Sequence, residues 1–96
     1  KRQPMCPPHS PVVPAPEYIG KGGDASKGNY ADWVHQGDAM LGEILDTLVA
    51  TGLAENTLVI ASADNGAAGK EYAHTREHVG SVYEGCHRAP SPAGWP

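Results

Sequence analysis

Asp64 and Asn65 stand together where an apolar run ends, and Gly66 follows them. Adjacent carboxylate and carboxamide oxygens suit a hard divalent cation such as calcium or magnesium. The glycine allows a sharp backbone turn behind them. Asp-Asn-Gly is equally a turn tripeptide, so spacing alone leaves two readings open. His9 lies in the Pro-flanked stretch PPHSPVVP. An imidazole there could bind an anion or serve as an acid, although an exposed loop histidine is the plainer reading. HTREH, His74 to His78, matches the inverted H-x-x-E-H zinc pattern. Gly69 and Gly80 bracket it too closely for a good helix, and it reads as polar surface loop. Cys6 and Cys86 lack a sequence-adjacent base or a nucleophile elbow, and two cysteines make no disulfide framework. Within YEGCHRAP, Glu84 and Arg88 suggest a defined loop with an internal ion pair.

Those residues need elements to position them. Apolar side chains recur at Tyr30, Val34, Leu41, Leu45 and Leu48, with Met40 and Ile44 flanking. That spacing predicts a helix over about residues 30–51 with one buried face. Asn29 suits the N-cap, Asp32 the first turn, and Gly52 the position just past the end. Gly37 and Gly42 each cost about 1 kcal/mol against alanine in a helix interior, and close packing against a sheet would explain them. TLVIAS, residues 57–62, is β-branched and apolar and predicts a strand buried on both faces of a parallel sheet. Helix, short turn and strand make the second half of a βαβ unit, with Asp64 and Asn65 at the carboxyl end of the strand, where open α/β sheets bind ligands. Residues 1–29 form an extended Pro-rich segment and a Gly-rich loop, and residues 67–96 a further loop segment.

Composition bounds the whole. At 96 residues the chain is at most one small domain. Leu, Ile and Val number 15 and Phe is absent, so there is little to bury and independent folding is doubtful. The net charge of −4 and scattered Lys and Arg argue against nucleic acid. No run of apolar residues is long enough to span a membrane. KRQPMCPPHSP has no apolar core of a signal peptide, and the chain reads as a piece of something longer.

Taken in order, PHSPVVPAPEYIG, the stretch from Tyr30 to Gly66, and YEGCHRAP with the terminal WP resemble the sulfatase family, of arylsulfatase type and alkaline-phosphatase-like fold. The resemblance covers most of the chain and points to a middle-to-C-terminal segment of the catalytic domain. It implies an α/β enzyme that hydrolyses sulfate esters with calcium or magnesium and a formylglycine nucleophile made from a C/S-x-P-x-R motif. Position by position, Asp64 and Asn65 match one pair of metal ligands. His9 matches the histidine of an H-x-P segment that contacts the sulfate or leaving group. Family members are often exported.

The departures matter equally. No C/S-x-P-x-R stands in these 96 residues, and the Asp pair that completes the metal site is missing. Val79 occupies the place of a sulfate-binding lysine, with Lys70 and Arg76 as possible substitutes, and Cys86 replaces a glycine. The isolated chain is therefore expected to be inactive. A non-catalytic relic or pseudoenzyme segment is the alternative, and a phosphatase or phosphodiesterase of the same superfamily a further one.

Overall fold

One long helix dominates the computed structural model, which describes residues 2–66, 80 and 82–94. The chain divides into two units, Lys1–Ala54 and Glu55–Pro96. Helix α1, Asn29–Ala50, lies within a residue of its expected ends. Its start differs in one detail. Gly28, not Asn29, is the N-cap, with φ +52° and ψ −143°, and no side chain caps the turn. Glycine adopts that backbone conformation readily, whereas a residue with a Cβ is strained there. The other end is a Schellman motif. The Leu53 amide donates to the Leu48 carbonyl at 2.9 Å and the Gly52 amide to Val49 at 3.0 Å, with Gly52 at φ +70°.

The expected buried face of α1 is only half covered. Tyr30, Leu41 and Leu48 are half-buried, but Val34, Leu45 and Val49 are exposed, Val49 at 68%. No hydrophobic side chain among the described residues is fully buried. What covers α1 in the first unit is not a sheet but the preceding Pro- and Gly-rich segment. That segment makes single 3-10 turns at Pro16–Tyr18 and Ala25–Lys27, both packed on the helix. Tyr18 meets the His35 ring edge-on, with centroids 5.9 Å apart.

Gly37 is explained by this packing. A Cβ there would come within 3.1 Å of the Pro7 ring, so the tight neighbour is Pro7 and not a strand. Among the described residues nothing lies within 4 Å of the place a Cβ at Gly42 would take, so none of them accounts for that glycine.

The strand of the second unit is shorter and more exposed than expected. β1 is Val59–Ile60 alone, with Leu58 at 52% and Ile60 at 62% exposure. Its partner is β2, Ala93–Gly94, and the pairing is antiparallel, Val59 against Gly94 and Ile60 against Ala93. The expected burial on both faces of a parallel sheet is thus corrected to a two-residue antiparallel ribbon. Proline is the physical cause of its brevity. The same register continues as the Ala61 amide donates to Pro92 at 3.0 Å and the Ala63 amide to Pro90 at 3.4 Å. Neither proline has an N–H to return the bond, so the ladder stays one-sided.

Helix α2, Glu84–His87, and β2 both fall within residues 67–96, where loop alone is expected from the sequence. No helix among the described residues is long and apolar enough to cross a membrane.

Candidate functional site

Asp64 and Asn65 emerge just beyond that ribbon, and both are exposed. The turn they sit on is pinned from behind. The buried Gly66 donates its amide to the Cys86 carbonyl at 2.7 Å, tying the turn to α2. α2 is in turn closed by an Arg88–Glu84 ion pair at 2.7 Å, as the sequence suggested. Both partners are well exposed, so the pair contributes about 0–1 kcal/mol.

Within the turn, Asn65 Nδ2 donates to the Gly66 carbonyl at 2.8 Å. That bond engages the amide nitrogen and leaves Oδ1 as an acceptor on an exposed side chain. The Asp64 carboxylate and the Asn65 Oδ1 are therefore two neighbouring oxygen donors on a fixed turn. Their chemistry fits a hard cation, and they supply two of the about six to eight oxygens that calcium takes. Among the described residues no group of three His, Cys, Asp or Glu side chains comes together to hold a metal.

His9 belongs to the first unit and is exposed, yet most of it is tied down. Its amide donates to the Cys6 carbonyl at 2.8 Å. Its carbonyl accepts from Trp33 Nε1 at 3.0 Å. Its ring Nδ1 bonds the Ser10 carbonyl, which as a pure acceptor requires the proton to sit on Nδ1. The remaining ring nitrogen, Nε2, has no partner among the described residues. Peptide bonds Pro7–Pro8 and Ser10–Pro11 on either side are cis. Cys6 and Cys86 are both free thiols.

The structure adds three residues that sequence reasoning did not single out for this role. Trp33, Gln36 and Asp32 grip the segment that carries His9. Gln36 Oε1 accepts from the Ala15 amide at 2.8 Å. Asp32, only 6% exposed, accepts from the Gly20 amide at 2.8 Å and the Gly22 amide at 2.7 Å. The Gly20 bond, then the Gly22 bond, hold the Asp32 carboxyl below the usual carboxylate value, against the opposing effect of burial. Placing Asp32 in the first turn of the helix was legible, but its loop partners were not. Lys70, His74, Arg76, His78 and Val79 lie outside the described residues.

Comparison with known proteins bears directly on this arrangement. The Sulfatase family model matches residues 5–91, almost the whole chain. The chain belongs to the sulfatase family. Among curated relatives, this sulfatase segment is similar to the N-acetylgalactosamine-6-sulfatase of Rattus norvegicus. The two are 33% identical over 95 residues, covering 92% of this chain and 18% of that protein. It is also similar to the N-acetylgalactosamine-6-O-sulfatase of Bacteroides thetaiotaomicron, at 41% identity over 58 residues, 60% of this chain and 11% of that protein. The steryl-sulfatase of Rattus norvegicus is 34% identical over 99 residues, 92% of this chain and 17% of that protein. The segment thus spans less than a fifth of the length of these relatives. No solved structure matches it at a significant level.

Proposed function

We propose that this sulfatase segment supplies half of a divalent-cation site and one sulfate-facing imidazole to a sulfate-ester hydrolase. The observation that carries the reading is the Asp64–Asn65 oxygen pair. It stands on a turn held by the Gly66–Cys86 bond, inside a stretch the sulfatase family matches. Calcium, or magnesium, is the cation these oxygens suit. When bound, such an ion offsets the negative charge of the sulfate oxygens. His9, taken by itself, is the imidazole that would contact the sulfate or the leaving group through Nε2. Relatives named for N-acetylgalactosamine-6-sulfate and for steryl sulfate support sulfate esters in general as the substrate class. The fold expected for the complete domain is alkaline-phosphatase-like.

No residue here can become the formylglycine, so no step through that group is assigned to these 96 residues. Val79 at the expected lysine position favours a second reading, a non-catalytic relic that retains weak cation binding.

Two measurements separate these. The purified 96-residue chain should bind calcium weakly in calorimetry, with Asp64→Ala abolishing the heat, and should not hydrolyse an aryl sulfate. Micromolar calcium affinity would contradict the half-site, and no calcium heat at all would remove the cation role. An in-frame C-x-P-S-R upstream in the coding sequence would favour the enzyme over the relic.

A further inference from the structure

An exposed histidine normally keeps its backbone and ring mobile, because ordering a surface side chain costs entropy that nothing returns. His9 does not follow that pattern. Its amide, its carbonyl and its Nδ1 are each bonded, to Cys6, Trp33 and Ser10. Among the described residues only Nε2 is left without a partner, to meet an outside group. Of the three bonds, two are local, made within the turn itself. The third crosses 24 residues of sequence, from Trp33 on α1.

We propose that Trp33 is the positioning residue of His9, setting the direction and the tautomer of its imidazole. The indole N–H holds the His9 carbonyl, and so fixes the peptide plane joining His9 to Ser10. That plane fixes where the Ser10 backbone begins, and the Ser10 carbonyl, one peptide further on, lies within reach of the ring. Nδ1–H stays on Ser10 in the neutral and the protonated ring alike, so Nε2 is the atom that gains and loses a proton. An imidazolium then offers a single N–H outward, suited to one oxygen of a tetrahedral oxyanion. Gly37, one helical turn beyond Trp33, supports the same contact. A Cβ at Gly37 would crowd the Pro7 ring at 3.1 Å, so the small residue lets the His9 segment lie close enough for the indole to reach it. The functional meaning of this device rests on the sulfate-facing role given to His9 above, but the device itself can be tested without it.

The test uses the 96-residue chain and the nitrogen spectrum of the His9 ring. In the unaltered chain the neutral ring should be chiefly the Nδ1–H tautomer, and the Trp33 indole N–H should exchange slowly with solvent. Trp33→Phe keeps an aromatic ring and removes the donor. It should shift the tautomer balance toward Nε2–H, the form favoured by a free histidine. It should also weaken sulfate binding at acid pH about threefold to tenfold, the effect of one lost hydrogen bond. Gln36→Ala, which releases Ala15 only, should leave the His9 tautomer as it was. Unchanged His9 resonances in Trp33→Phe would overturn the proposal. So would an indole N–H exchanging at the rate of a free indole, a measurement that needs no variant to fold. Sulfate that leaves His9 undisturbed in the unaltered chain would overturn the anion role of His9. The tautomer readout would still decide the positioning.

Discussion

The amide of Gly66 donates to the carbonyl of Cys86 at 2.7 Å, across twenty residues of sequence. This bond fixes the Asp64–Asn65 turn relative to α2, and it explains why the third residue of the turn is buried while the first two face outward. Two motifs distant in the chain, the Asp-Asn-Gly turn and the Glu-Gly-Cys-His-Arg stretch, are thereby one structural unit.

Removing that amide should loosen both motifs. Gly66→Pro leaves the Cys86 carbonyl without its donor, a loss of about 1–3 kcal/mol where the carbonyl is shielded. Amide exchange at Ala61 and Ala63 should then accelerate, and calcium heat should fall. Unchanged exchange would mean that the ribbon stands without the bond.

Two glycines should respond in opposite directions. A Cβ at Gly22 would overlap the Ala31 carbonyl carbon, so the loop must move away from α1. Gly22→Ala should therefore cost about 1–3 kcal/mol, the range for overpacking. Gly42→Ala meets none of the described residues within 4 Å and should stabilise α1 by about 1 kcal/mol. Thermal unfolding followed by helical circular dichroism measures both. Equal shifts for the two variants would contradict this account of the loop contact.

Acid should release the loop before it melts the helix. The Asp32 carboxyl is held below its ordinary value of 3.8 by the Gly20 and Gly22 amides. Its folded-state value is thus depressed, so its contribution is fully present above the unfolded value. It is lost as pH falls through the folded one. The Gly20 and Gly22 amide resonances should move below about pH 4 and stay constant above about pH 5. Asp32→Asn should abolish the transition, since the carboxamide does not titrate.

The exposed apolar side chains predict weak cooperativity. Val34, Leu45, Val49 and Leu53 on and beside α1, with Leu58 and Ile60 at the ribbon, have large exposed areas. The chain should bind a hydrophobic dye in its native state and unfold over a broad temperature range. A sharp transition without dye binding would show that these faces are covered in solution.

Helix α1 was legible in the sequence because its signals are local. Apolar spacing at 3.6 residues and a glycine past the end act on neighbours in the chain, and both ends fell within a residue. The sulfatase resemblance was legible for a similar reason. Its motifs are short strings in a fixed order, and the family match over residues 5–91 bears the resemblance out. The candidate ligands Asp64 and Asn65 were nameable from residue type, as was the Glu84–Arg88 pair from its spacing. Long-range partners were not nameable. A strand reveals its own propensity but not who pairs with it, so the prolines at 90 and 92 that shorten β1 carried no signal until the register was known. Gly37 announced a close approach that was expected to be against a sheet, and only three dimensions showed the neighbour to be Pro7. Asp32 and Trp33 read as ordinary helix residues. Their bonds to Gly20, Gly22 and His9 come from where the preceding loop folds back, which no local rule specifies. The sequence alone determined which residues are chemically able; the tertiary structure decided which of them are held still.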